Sequence, residues 1–218
     1  MQAKRPRRQI AAAAAILVPM SAIAYSPCGE LSNSYGPYDF RTEQYGKLKI
    51  VTKHHFTAGV ETLTKRETDT FGGDLDYTLR ASPNYHRALQ TLAKLSDKLA
   101  TDRPPGTHWP VECYFERAIR FAPDDPMARV LYAAFLEKRK RKSEARQQLE
   151  AAEAEETPDS NLLYNMGLIY LRIGDIDAAA SKAKAAYALG FPLPGLRNLL
   201  AKKGVSITDD PSPNKLSE

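Results

Sequence analysis

The sequence lacks the patterns that carry chemistry. Its 218 residues contain no zinc-ligand spacing, no glycine-rich phosphate loop and no nucleophile motif. Histidine is scarce. His54 and His55 are adjacent, so on a helix they point about 100° apart and would not share a metal, and His86 and His108 are remote in sequence. Asp74 and Asp76 point to different sides of their segment. The expectation is a chain with no metal, no cofactor and no catalytic residue, whose histidines and aspartates serve on the surface or as caps.

Long apolar runs are lacking too. The one candidate, Ile10 to Ala24, is shorter than the roughly 20 residues a spanning helix needs, and Pro19 interrupts it. Lys4, Arg5, Arg7 and Arg8 precede it, and Ala22-Ile23-Ala24 is a small-x-small cleavage pattern. Residues 1–24 therefore read as a secretory signal cleaved after Ala24, which implies an exported, periplasmic protein. An uncleaved anchor is the alternative.

The charge argument changes once that segment is set aside. The whole chain has 31 Lys and Arg against 26 Asp and Glu, a net +5. Four of the basic residues lie in residues 1–24, so the remainder stands at 27 against 26. A nearly neutral chain gives no electrostatic reason to expect nucleic acid.

Cysteine is nearly absent. Cys28 and Cys113 form an even pair that, in an oxidising compartment, is a disulfide candidate. Cys113 lies two residues after Val111, so on a helix it points about 200° away from that position. A thiol on that outer side can meet an N-terminal arm.

What the chain does have is a repeat. Val111, Ala145 and Ala179 are spaced by 34, as are Phe115, Leu149 and Ala183, and Ala118, Ala152 and Ala186. A period near 34 belongs to helix–turn–helix stacks, in which neighbours bury each other's apolar faces. The spacing predicts an all-α, right-handed α-solenoid of about four helical hairpins over residues 49–204, with a non-helical arm at 25–48 and a flexible tail at 205–218. The arm holds Pro27, Gly29, Gly36, Pro37 and Gly46, but also Tyr35, Tyr38, Phe40 and Tyr45, so it should pack on the body.

The first hairpin is the least regular: a helix from about Ile50 to Lys65, a turn at Asp69 to Gly73, and a helix from Asp74 to Ser82. The second opens at Pro83-Asn84, and against the next repeat it runs at a step of 40, six residues long. The extra residues fall in the proline-rich stretch Asp102 to Pro110. The third hairpin spans Pro126 to about Glu155 and the fourth Asp159 to Leu189. A last helix, Gly195 to Lys203, presents Leu196, Leu199 and Leu200 on one side as a cap.

Leu163, Met166, Gly167, Tyr170, Ala179, Ala186 and Pro192 together resemble the tetratricopeptide repeat, and the chain is similar to exported bacterial proteins of that type. Residues 126–158 match less fully, with Ala133 at the glycine position and Leu136 at the tyrosine. The resemblance implies a scaffold that holds a protein or peptide in a concave groove. Carried over by position, the groove residues are Arg87, Gln90, Lys94 and Lys98, then Met127, Val130, Ala134, Glu137 and Lys138, then Asn161, Tyr164, Leu168, Leu171 and Arg172. Such a groove would be basic at one end and apolar at the other. The full lysine–asparagine–arginine set that clamps a C-terminal carboxylate in some members is missing.

One charge run remains. Lys138-Arg139-Lys140-Arg141-Lys142 falls at the turn of the third hairpin, either as a solvated turn or as a peripheral contact for an anionic surface. The expected role is a periplasmic scaffold or adaptor in a cell-envelope assembly. The alternatives are a structural subunit that self-associates through its arm and, further off, a small-ligand binder or enzyme. Monomer and homo-oligomer are both left open.

Overall fold

The computed structural model describes residues 28–43, 45–154 and 159–207, and every regular element among them is an α-helix. The arm passes through a single turn, α1 (Phe40–Glu43), and two short helices follow, α2 (Leu48–His54) and α3 (Ala58–Glu61). Next come α4 (Phe71–Ala81), α5 (His86–Leu99) and α6 (Val111–Phe121). Two tight hairpins follow, α7 (Pro126–Lys138) with α8 (Lys142–Glu153) and α9 (Ser160–Ile173) with α10 (Ile176–Ala188), and α11 (Gly195–Ala201) closes the end. α5 packs on α7, α7 packs on α9, and α11 rests on both α9 and α10. None of these helices is long and apolar enough to cross a membrane. The predicted signal and most of the tail lie outside the described residues.

Local sequence sets the helix ends. The side chains of Thr57, Thr70, Asp125, Asp159 and Asp175 each accept backbone N–H groups of the helix they precede, satisfying donors the helix itself leaves open. Pro126 occupies the first turn of α7, where its missing N–H costs nothing. Gly174 ends α9 at φ 98°, a left-handed conformation that glycine adopts without a Cβ clash. Every residue of the three 34-residue ladders is buried. They form the seam where α6, α8 and α10 meet the main core.

The first hairpin departs from its expected form. The single helix expected from Ile50 to Lys65 breaks into α2 and α3, because Thr57 Oγ1 accepts Val60 N and starts a new turn. α4 begins at Phe71, inside the expected turn, because Thr70 Oγ1 accepts Gly73 N at 2.9 Å. Gly72 permits this start: a Cβ there would collide with the Pro105 carbonyl of the proline-rich insertion, so only glycine lets the insertion lie against the helix.

The two ends differ as well. The arm is not wholly non-helical, since α1 lies within it. α11 stops at Ala201, and Leu199 is 42% exposed while Leu196 and Leu200 are fully buried. Three residues beyond Gly204, Ile207 returns to the core and is 5% exposed.

The arm lies on the body along a second, smaller core. Tyr35, Tyr38 and Phe40 gather with Tyr77 around Leu48, Val51 and Ala81. Tyr38 N donates to the Ala81 carbonyl at 2.9 Å. Arg117, buried on α6, stacks on Trp109 and donates from Nη1 to the carbonyls of Cys28 at 3.0 Å and Glu30 at 2.6 Å. The Cys28–Cys113 disulfide, with Cα atoms 5.0 Å apart, ties the same stretch of arm to α6.

Candidate functional site

A groove of about 190 Å³ opens where α5, α7 and α9 lie side by side. Its floor is apolar: Phe115, Val130, Leu131, Ala134, Phe135, Leu168 and Ile169. Phe115 comes from α6 and reaches between the first helices. It stacks on Tyr132 and tilts against Phe135, with ring centroids 5.4 and 5.1 Å apart. The polar lining is mostly cationic, with Lys94 from α5, Lys138 and Arg139 from the end of α7, and Arg172 from the last turn of α9.

Two of these cations are already engaged. Asp97 accepts from Lys138 Nζ at 2.8 Å and from Arg139 Nη1 at 3.4 Å. Arg139 also donates to Ser96 Oγ at 2.8 Å and lies 3.5 Å over the Phe135 ring. Lys94 and Arg172 have no ion-pair partner among the described residues. The groove thus offers apolar surface bordered by two uncompensated positive charges, with Gln90 and Asn165 as neutral hydrogen-bonding groups.

Seven of the residues carried over from the repeat pattern meet here: Gln90, Lys94, Val130, Ala134, Lys138, Leu168 and Arg172. The others do not. Arg87 forms a two-point ion pair with Glu61 and borders a separate cleft of about 550 Å³ with Tyr45, Phe56 and Tyr85. Lys98 edges a third, apolar cleft of about 250 Å³ between Leu95, Leu99 and Pro105. Met127, Glu137, Asn161 and Leu171 lie outside the groove lining. Tyr164 is only 9% exposed, because Phe191 stacks on its ring at 4.0 Å and the chain before α11 covers it. Its role is packing at the foot of the cap.

Ala93, Asp97, Leu131, Asn165 and Ile169 line the groove without having been anticipated. Helical spacing would have supplied most of them. Gln90, Ala93, Lys94 and Asp97 form one stripe, and Asn161, Asn165, Leu168 and Arg172 another. No sequence period points to Phe115, because it belongs to a ladder of the other helix set.

The basic turn is largely tied down. Lys138 and Arg139 hold Asp97 on α5, Arg139 also reaches Asp102, and Arg141 bridges Glu112 on α6 at 2.7 Å and Glu144 on α8. The Arg141 hydrogen bond holds the Glu112 carboxyl below its usual range, against the upward push of burial. Among the described residues only Lys140 and Lys142 of this run lack an acidic partner. Its ion pairs link α5, α6, α7 and α8, while Lys138, Lys140 and Lys142 stay exposed to solvent.

Three of the aspartates take interior positions, while the histidines stay partly or largely exposed. Asp74, Asp76 and Asp125 are buried, and each faces a histidine: His55 at 3.6 Å, His108 at 2.8 Å and His86 at 2.8 Å. Asp74 accepts the backbone N–H of Glu67 and Thr68, and Asp125 accepts Ala128 N at the start of α7. These carboxylates fix loops to helix ends. Among the described residues, no three His, Cys, Asp or Glu side chains gather in a way that could hold a metal ion.

Compared with protein-family models, curated proteins and solved structures, the chain gives no match.

Proposed function

We propose that this chain is a right-handed solenoid of tetratricopeptide-like hairpins that holds a protein or peptide partner in the groove between α5, α7 and α9. The observation that carries the reading is the convergence of residues from three successive first helices on one apolar floor bordered by the unpaired Lys94 and Arg172. The groove fits a segment that buries apolar side chains against Phe115, Leu131 and Leu168 and presents a carboxylate to those two cations. The disulfide is compatible with an exported, oxidising location, and we take the site of action to be a periplasmic assembly of the cell envelope. In this reading the protein works as an adaptor rather than an enzyme. The arm, folded back onto its own α6, favours an adaptor over a subunit that lends its arm to a neighbour.

The test is in-cell crosslinking of the full-length protein beside the double variant Lys94→Glu, Arg172→Glu. Both side chains are exposed, so the variant should retain its fold. A discrete partner captured by the wild type and lost in the variant supports the adaptor. Crosslinks only between copies of this chain would overturn it in favour of a structural subunit.

A further inference from the structure

The disulfide that ties the arm to α6 has a carboxyl group against one of its sulfurs. Glu116 Oε2 lies 3.0 Å from Cys28 Sγ. A disulfide sulfur carries no hydrogen, so this contact is a hydrogen bond only when Glu116 holds the proton; an ionised carboxylate would face the sulfur lone pairs with nothing between them. The surroundings shift the carboxyl toward that form. Burial pushes the Glu116 carboxyl up and the Glu112 charge one turn earlier adds to it, while Arg120 on the same helix and Arg141 ahead of α8 pull the other way. Glu112 is itself bonded to Arg141 and to Tyr132 of α7. From the arm, the Gly29 carbonyl accepts from Arg120 Nη2 at 2.7 Å, which holds that guanidinium on the same side of the helix.

Both cysteines are buried, Cys28 at 2% and Cys113 at 9% exposure, and Glu116 touches only the sulfur of Cys28. Attack of a thiolate at Cys113 would make Cys28 the leaving sulfur, the one that has a carboxyl group beside it to receive a proton from.

We propose that Glu116 is the proton donor to Cys28 and makes the Cys28–Cys113 bond a built site of thiol–disulfide exchange with a dithiol partner. A thiolate of the dithiol attacks Cys113 Sγ and forms a mixed disulfide. The Cys28–Cys113 bond breaks, and its electron pair goes to Cys28 Sγ. Glu116 transfers its proton to that sulfur, becomes a carboxylate, and regains a proton from water. The second thiol of the partner gives its proton to water and attacks the partner's own sulfur in the mixed disulfide. Cys113 leaves as a thiolate and is protonated by solvent. The protein disulfide gains two electrons, and the dithiol is oxidised to its disulfide. The inference is independent of the groove, and its failure would leave the adaptor reading untouched.

The experiment follows opening of the disulfide in the folded, full-length protein by dithiothreitol, using acid quench and alkylation, with rates expressed per reductant thiolate. The expected rate rises in proportion to reductant, and Glu116→Gln slows it roughly tenfold or more, the scale of lost general acid catalysis. Glu112→Gln removes a charge that pushes the Glu116 carboxyl up, so at a given pH it should slow the reaction too, but by less than Glu116→Gln does. In the wild type alone, the rate per thiolate should fall as pH rises through the titration of Glu116, a readout that needs no variant. In urea, where the contact is gone, wild type and Glu116→Gln should react equally. Equal rates for the two folded proteins would overturn the proposal. So would a rate independent of reductant concentration, which would mean that only unfolded molecules react.

Discussion

His108 Nδ1 lies 2.8 Å from Asp76 Oδ2, and this contact fastens the proline-rich insertion to the interior. Asp76 is buried on α4 and also accepts the His108 backbone N–H at 3.0 Å, Arg80 Nε at 2.8 Å and the Tyr114 hydroxyl. One carboxylate thus holds α4, the insertion and α6 in register. Asp76→Asn keeps the shape but loses the charge and turns an amide N–H toward groups that are themselves donors. The expected cost is about 3 kcal/mol, the scale for breaking one side of a buried charged network. Chemical denaturation of the variant measures it. A midpoint unchanged from wild type would mean that the insertion is held elsewhere.

Acid should loosen the arm before it unfolds the stack. Asp39 on the arm is bonded to Arg41 and Asn84, and Asn84 Nδ2 passes the connection to Asp125 at 3.1 Å. The Arg41 guanidinium holds the Asp39 carboxyl down at about 2, against the opposing effect of burial. Burial works to raise Asp125, but the hydrogen bonds from His86 and Asn84 and the His86 and Arg41 charges outweigh it and leave the carboxyl below its usual range. Both folded values are therefore depressed, so the stabilisation is fully present above the unfolded carboxylate range near 4 and is lost as pH falls toward 2. The melting temperature should drop across that window, and Asp39→Asn should flatten the drop. A variant that follows the wild-type acid profile would remove Asp39 from the account.

The disulfide closes a sequence separation of 85 residues. For such a loop the chain-entropy model sets a ceiling of about 4–5 kcal/mol. The realised value should be lower, because Arg117, Arg120 and the Tyr38–Ala81 bond hold the arm independently. We expect the double variant Cys28→Ser, Cys113→Ser to lose about 2–4 kcal/mol in denaturant while keeping its helical content. Loss of the helical signal under native conditions would show that the arm is needed to fold the body.

Much of the body was legible because its signals are local or periodic. The ladders through Val111, Ala145 and Ala179 marked the seam of the stack, and the hairpin starts read at Pro126 and Asp159 fall at the starts of α7 and α9. The groove was half legible for the same reason, since Lys94, Val130, Leu168 and Arg172 lie on helical stripes. Tyr164 misled because the stripe continues through it and only the returning Phe191 buries it. The His–Asp pairs were invisible. Asp76 and His108 are 32 residues apart, His86 and Asp125 39 apart, and neither separation belongs to the repeat. Glu116 was overlooked too, because a glutamate beside a cysteine helix turn carries no pattern until the arm returns Cys28 to it.

Gly167 offers a test of packing at the capped end. It sits on α9, and a Cβ built there would lie 2.5 Å from Leu196 Cδ2, 3.3 Å from the Ala179 carbonyl and 3.4 Å from Lys182 Cβ. The nearest neighbour is the tip of a flexible side chain, which can shift; the carbonyl of α10 cannot. Gly167→Ala should therefore be nearly neutral, because alanine gains up to about 1 kcal/mol of helix propensity over glycine and offsets the crowding. Gly167→Leu has no such escape. Its side chain must displace Leu196, which anchors α11, and overpacking of this kind costs about 1–3 kcal/mol. Thermal melts of the pair read the contrast. If leucine were tolerated as well as alanine, α9, α10 and α11 would have to be further apart than this packing requires. If alanine already lowered the midpoint as far as leucine, the α10 carbonyl would be the rigid element, with Leu196 yielding little.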